Sequence, residues 1–264
     1  MIRPAEIQQI ARREGVRDTQ IEKDYALSWI LTSIAHSTLL SEILAFKGGT
    51  VLKKFYFEDY RHSEDLDFTL LDSMKTNDDI RTAFETAFDF VKEEANISLN
   101  IIEFGEYETG NINFYIAYDG PLGGAGKKVK VDISKNKLLQ FPLETKPLFS
   151  TYSDHIDSLV KCYSLSEVMT EKMRSLLSRQ QPRDFYVWYL SEYEGLEMSN
   201  YIAEYELKAK HKGLNPDNLQ SRIEKITPVF KSRWAGSMNE QIKELPPFEQ
   251  VARELGRHFR KLIE

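Results

Sequence analysis

Apolar positions along the chain change period between helix and strand, and the changes predict the elements. In the first forty residues Ile21, Tyr25, Leu27, Trp29 and Ile30 recur at imperfect helical spacing, after a Thr19-x-x-Glu22 sequence with the form of a capping box. A glycine turn at Gly48-Gly49, a short helix and a loop holding Arg61-His62-Ser63-Glu64 lead to a strand. There Asp65 and Asp67 alternate with Leu66, Phe68 and Leu70. A helix starting at Asn77 or Asp78 runs to about Ala95, with Ile80, Phe84, Ala87, Phe88 and Val91 as its apolar stripe. The period then becomes two. Ile97 to Phe104 reads as a strand, and Ile112, Phe114, Ile116 and Tyr118 alternate with polar or small residues. Gly120 to Gly126 returns the chain to Lys128–Ile133, where Val129, Val131 and Ile133 alternate with Lys128, Lys130 and Asp132. That hairpin has one core face and one charged face. Beyond the Pro142–Pro147 segment the pattern predicts helix to the end, punctuated by Pro182, Pro216, Pro228 and Pro246-Pro247. There is no internal repeat or low-complexity tract. The expected boundary lies near Ser150, between a mixed α/β part (1–150) and a helical part (151–264).

Composition narrows the class without naming a function. A chain of 264 residues, 41% hydrophobic and 29% charged, has ordinary soluble composition and ample length for a core. The single cysteine, Cys162, excludes an internal disulfide and fits a reducing cytoplasm. No signal peptide is expected. The most apolar run, Ala26 to Leu40, is broken by serine, threonine and histidine and is too short to span a bilayer, so no membrane association is expected. A net charge of −6 argues against a protein that coats nucleic acid nonspecifically. It leaves room for a local basic band, and Lys127, Lys128, Lys130, Lys135 and Lys137 form one around Asp132. Such a band can meet an RNA backbone, although more often it is a solvated face. Five scattered histidines and one cysteine do not suggest zinc.

The candidate chemistry centres on Gly48 to Asp67. Asp65 and Asp67, two apart on a strand, point to one face. At about 4 Å and an effective dielectric near 20, two such charges repel by about 4 kcal/mol unless a cation lies between them. Gly48-Gly49 permits close backbone approach of a ligand, and Thr50 opens a helix whose free N–H groups suit phosphate. Asp132 is the natural third carboxylate, on a strand able to pair beside Leu66–Leu71; its blander role is pairing with Lys130. Mg²⁺ takes oxygen ligands and keeps positions for substrate phosphate, and two such ions can activate an attacking oxygen and neutralise leaving pyrophosphate. Ser164-x-x-Glu167 caps a helix to about Arg179, whose apolar stripe Lys172 interrupts. An inward lysine is costly unless paired, so Lys172 either snorkels or holds an anion such as a triphosphate. Asp184, in the first turn after Pro182, is explained by the helix dipole alone.

Several of these residues occur in one recognisable series. Glu22-Lys23-Asp24-Tyr25, Phe46-Lys47-Gly48-Gly49-Thr50, Arg61-His62-Ser63-Glu64-Asp65-Leu66-Asp67-Phe68, Lys130-Val131-Asp132-Ile133, Glu171-Lys172 and Arg183-Asp184-Phe185-Tyr186 resemble the AbiEii/AbiGii-type nucleotidyltransferase toxins. The motifs span Glu22 to Tyr186; the tail after about Leu190 carries none. The resemblance implies an α+β fold, a polymerase-β-like nucleotidyltransferase core of mixed or antiparallel sheet with flanking helices, followed by a helical C-terminal domain. It implies a cytoplasmic, Mg²⁺- or Mn²⁺-dependent toxin of a type IV toxin–antitoxin or abortive-infection phage-defence system. MenT-like members transfer nucleotides from NTP to the tRNA acceptor end, so NTP, RNA (tRNA foremost) and a cognate antitoxin are the expected partners. By matching motif, Asp65 and Asp67 are expected to bind metal, with Asp132 as the third carboxylate read from its strand and Lys172 and Asp184 completing the catalytic set. Lys47, Gly48, Gly49, Thr50, Ser63 and Lys172 are the expected nucleotide or phosphate contacts. Ser63 matches a serine that takes a phosphoryl group in some relatives, so transfer to a protein hydroxyl is the alternative, and a non-catalytic antitoxin-binding module is a third reading. The sequence departs from the family at Val187, where a second aspartate often stands.

Overall fold

The computed structural model describes residues 1–107, 110–239 and 241–261. They divide into two compact units, Met1–Lys137 with Leu143–Tyr163, and Leu138–Pro142 with Ser164–Glu264.

The first unit begins with α1 (Pro4–Glu14) and α2 (Asp18–His36). Every residue of α2 from Asp24 to Ile34 is buried, which explains its imperfect periodicity: a helix covered on all sides needs no stripe. The Thr19–Glu22 capping box does not form. The residue before α2 is Arg17, and Thr19 already lies inside the helix. Glu22 is buried instead, and its carboxylate accepts hydrogen bonds from the Leu122 backbone N–H (2.6 Å) and the Lys127 ammonium (2.8 Å), pinning the glycine-rich loop before β5.

After α3 (Thr38–Ile43) come β1 (Leu44–Lys47), α4 (Gly49–Phe55), β2 (Asp65–Leu70), α5 (Asn77–Ala95), β3 (Leu99–Glu106), β4 (Ile112–Tyr118) and β5 (Lys128–Ser134). The start of α5 is a capping box made by Thr76 and Asp79. The third strand is shifted two residues from its expected span, and its register with β4 breaks between Ile102 and Gly105. Two further strands follow: β6 (Leu143–Pro147) occupies the Pro142–Pro147 segment, and β7 (Leu159–Tyr163) corrects the expectation of helix alone beyond it. Each is five residues long, and β6 is a largely exposed edge strand, so neither shows a readable alternation. Tertiary pairing makes them strands: β7 runs parallel to β1, and β6 pairs antiparallel with β7. The expected boundary near Ser150 therefore falls between two strands of one sheet.

The sheet order is β3-β4-β5-β2-β1-β7-β6, mixed in direction. Leu66 and Phe68, Val129, Val131 and Ile133, and Ile112, Phe114 and Ile116 are buried on its core side. The Phe114 ring meets Phe84 of α5 edge-on at 5.2 Å, and Phe46 meets Phe55 and Phe68 at 5.8 and 5.2 Å.

The second unit contains α6 (Leu165–Ser178), a 3₁₀ segment (Pro182–Val187), α7 (Trp188–Glu192), α8 (Ile202–His211), α9 (Leu219–Met238) and α10 (Phe248–Arg260). Pro228 lies within α9 and does not end it. Ile226, Phe230 and Trp234 bury that helix's inner face, and this packing outweighs the lost backbone hydrogen bond. Phe185 packs against Phe230 at 4.8 Å and Phe248 at 6.1 Å, forming an aromatic core. Ser164 caps α6 through the Glu167 N–H, but the Glu167 side chain does not reach back to complete a capping box. Its carboxylate accepts from the backbone N–H groups of Gln140 and Phe141 (3.0 Å each) and from Lys208 (2.5 Å). Lys208 also donates to the Leu138 carbonyl at 2.8 Å, so a buried ion pair ties the 138–142 segment to this unit.

Candidate active site

Strand register gathers the acidic residues of the first unit. Asp67 lies beside Lys47 on antiparallel β1 and beside Asp132 on parallel β5; Asp65 lies beside Lys130. Asp132 is flanked on its other side by Asn113 of β4. Alternation then puts Lys47, Asp65, Asp67, Lys130, Asp132 and Asn113 on one face, opposite the buried Leu66, Phe68, Val131 and Ile133. All six are half-buried. The expected pairing of the Asp132 strand with the Asp65–Asp67 strand is thus the observed one.

Two of the three carboxylates pair with lysines. Lys130 donates to Asp132 Oδ2 at 2.6 Å, and Lys47 lies 3.8 Å from Asp67 Oδ1. Burial works against the Lys130 ammonium. The hydrogen bond and charge of Asp132, with Tyr107 and Asp65 behind it, nevertheless hold its pKa above the ordinary lysine value. Among the described residues no three of His, Cys, Asp and Glu converge closely enough to hold a metal together. The donor chemistry still fits Mg²⁺ or Mn²⁺, because the carboxylates at adjacent positions are all-oxygen ligands.

The turn before α4 is shaped around Asp67. Gly48 has φ +84°, and a Cβ there would lie 2.5 Å from Asp67 Oδ2, so only glycine fits. Gly49 is the first helical residue, and buried Thr50 donates from Oγ1 to the Asp65 carbonyl at 2.8 Å. The hydroxyl therefore ties the turn to β2. Ser63 is half-buried in the connection between α4 and β2.

In the second unit Lys172 and Asp184 meet. Lys172 is 6% exposed, which excludes snorkelling, and its ammonium lies 3.3 Å from Asp184 Oδ1. Asp184 is fully buried, and Arg179 grips it with two bonds of 2.7 Å, from Nε to Oδ2 and from Nη2 to Oδ1. The helix-dipole account of Asp184 is thereby corrected: in the first turn of a 3₁₀ segment it is a fully buried, ion-paired group rather than a solvated one. Burial alone would raise its pKa, but Lys172 and Arg179 hold it below the usual carboxylate range. Arg179 was not foreseen, because an arginine at a helix end is ordinary.

The expected basic band is mostly paired off. Lys127 bonds Glu22, Lys128 bonds Glu103 at 2.8 Å, Lys130 bonds Asp132, and Lys135 donates to Asn77 at 2.8 Å. A second unforeseen group lies behind the motif, where Glu14, Asp24, Lys54 and His62 form a charged cluster. The signal for it was Asp24, a carboxylate inside an apolar helical run, which demands a partner.

The model of the nucleotidyl transferase AbiEii toxin family of type IV toxin–antitoxin systems matches residues 29–255. The chain belongs to this family. As an AbiEii-family protein it is a nucleotidyltransferase toxin. It has the fold of MenT4, a nucleotidyltransferase toxin from Mycobacterium tuberculosis H37Rv, at 15% identity and a TM-score of 0.72, over 100% of this chain and 90% of that one. JHP933 from Helicobacter pylori is similar at 17% identity and a TM-score of 0.60, over 94% and 93% of the two chains. A second H. pylori structure matches at 16% identity and a TM-score of 0.58, over 94% and 96% of the two chains. No curated protein is significantly similar in sequence. No helix among the described residues is long and apolar enough to cross a membrane.

Proposed function

We propose that this AbiEii-family transferase moves a nucleotidyl group from an NTP to an RNA hydroxyl, with the tRNA acceptor end as the foremost acceptor. The observation that carries this reading is the register Lys47–Asp67–Asp132, with Asp65 on the same face and the Gly48–Thr50 turn tied to it. Asp65, Asp67 and Asp132 would hold Mg²⁺ or Mn²⁺. When bound, such a cation supplies Lewis acidity toward phosphoryl oxygen and neutralises charge on leaving pyrophosphate. The chain's own part is to position and to neutralise. Gly48 leaves space above Asp67, while Lys47 and Lys130 offset carboxylate charge and can turn toward incoming phosphate. For Lys172 and Asp184 we keep the roles that the motif match implies, triphosphate contact and further catalytic carboxylate. The bidentate Arg179 grip supports a fixed Asp184 that orients the Lys172 ammonium. As a type IV toxin, the chain would work opposite an antitoxin encoded nearby.

The test is incubation with each α-labelled NTP and a divalent cation, with and without total tRNA. Label on tRNA that is lost in Asp65→Ala and Asp67→Ala supports the reading. Label on protein alone, Ser63 included, overturns the RNA acceptor; equal toxicity of wild type and Asp65→Ala in cells overturns catalysis as the toxic principle.

A further inference from the structure

His62 sits three residues before Asp65, in the loop that leads into β2, and is almost fully buried. Both of its ring nitrogens face carboxylates. Nε2 lies 2.8 Å from Glu14 Oε2, at the end of α1, and Nδ1 lies 3.7 Å from Asp24 Oδ1, on α2. A neutral imidazole presents one N–H and one lone pair, so one carboxylate would face the lone pair; only the imidazolium suits both. The other Asp24 oxygen accepts from Lys54 (2.6 Å) and from the Tyr152 hydroxyl (2.8 Å), and Lys54 also donates to Ser28 at 2.7 Å. Lys53 faces Glu14 at 3.6 Å. Asp24 stays ionised: burial would raise its pKa, but Lys54 and His62 hold it well below the carboxylate range. Burial would likewise depress the imidazole, yet the nearby charge of Asp24 and the hydrogen bond to Glu14 hold it above its ordinary value.

The cluster has a mechanical meaning. Lys54 and Lys53 belong to α4, the helix that begins at the Gly48-Gly49 turn, whereas His62 belongs to the loop that delivers Asp65. At its front end α4 is tied to β2 by Thr50 and the Asp65 carbonyl; at its back end the tie runs Lys54–Asp24–His62. We propose that His62 is a positioning residue, whose imidazolium, clamped between Glu14 and Asp24, locks the loop before Asp65 to the helix behind the Gly48–Thr50 turn. The proposal rests on the transferase reading only for its effect on turnover. The lock itself is a property of the fold.

The experiment compares wild type, His62→Gln and His62→Lys. Gln fills similar space without charge, and Lys restores a cation whose ordinary pKa lies well above that of imidazole. Hydrogen exchange at pH 7 reads the lock directly. His62→Gln is expected to lower protection of residues 61–65 about tenfold, the scale of a lost hydrogen bond to a charged group, while protection of the β3–β4 hairpin stays at the wild-type level. His62→Lys is expected to recover most of it. Turnover with labelled NTP is expected to fall about tenfold in His62→Gln with KM for NTP within about twofold, because a displaced Asp65 costs the transition state more than binding. Wild-type kcat is expected to drop on the alkaline side, and His62→Lys to remove that limb. Unchanged exchange at 61–65 in His62→Gln overturns the proposal, as does loss of protection throughout the chain. Loosening at 61–65 with no transfer by wild type to any acceptor upholds the lock and overturns the transferase reading.

Discussion

Replacing Gly48 with alanine tests the geometry of the acidic face. Gly48 has φ +84° and ψ −168°, a region almost closed to residues with a Cβ, at a cost of roughly 1–3 kcal/mol. A second cost is specific to this site. The added methyl would lie 2.5 Å from Asp67 Oδ2 and 3.2 Å from Asp67 Cβ and Cγ, below ordinary van der Waals contact. The carboxylate must rotate, which breaks its approach to Lys47 and moves it relative to Asp132. Gly123→Ala is the control, since Gly123 also has positive φ (+66°) but a Cβ there meets nothing within 4 Å. Left-handed backbone alone costs about 1–2 kcal/mol. We expect Gly48→Ala to lose about 2–6 kcal/mol in urea unfolding, the sum of about 1–3 for strain and about 1–3 for overlap, against about 1–2 for the control. A misplacement of about 1 Å costs on the order of a hundredfold in rate, so transfer by Gly48→Ala should fall by about that factor while Gly123→Ala transfers normally. Equal unfolding midpoints and equal transfer in the two variants would refute the claim that Gly48 is required by its contact with Asp67.

Three further outcomes are expected. Asp184→Ala should cost about 3–5 kcal/mol, because it leaves the Lys172 ammonium buried without its carboxylate; thermal unfolding checks this, and a loss under about 1 kcal/mol would be incompatible with a buried pair. The folded pKa of Asp184 lies below its unfolded value near 3.8, so its contribution is complete above that value and is lost as pH falls through the folded pKa. Acid unfolding of Asp184→Ala should accordingly be less steep than wild type. His62 has the opposite sign. Its folded pKa lies above 6.5, so its contribution is full below 6.5 and declines as pH rises through the folded value; Tm against pH should show that decline in wild type and lack it in His62→Gln. Lys208→Met should destabilise by about 3 kcal/mol, since Glu167 loses its cation, and limited proteolysis should find the 138–142 segment more readily cut.

Local pattern alone determined much of this protein. Period-two alternation fixed which side of β2, β4 and β5 faces the core, so the shared face of Asp65 and Asp67 followed from the backbone pleat. The same alternation placed Asp132 on the charged face of its strand, and the interrupted stripe of α6 marked Lys172 as inward. The ordered motifs added the family. What sequence could not decide was everything that depends on which strands become neighbours. β6 and β7 are too short to carry a period of their own and exist because β1 offers an edge. The meeting of Asp67 with Asp132 requires β2 and β5, some sixty residues apart, to pair in one register out of several that hydrophobicity would allow. Buried charges were the least legible. His62 and Asp184 each have an ordinary surface role at their place in the chain, and only their enclosure by distant elements makes the charge pairing obligatory. Local pattern chose the faces; long-range packing chose the partners, because a side chain's direction is set by its own backbone and its electrostatic surroundings are set by everyone else's.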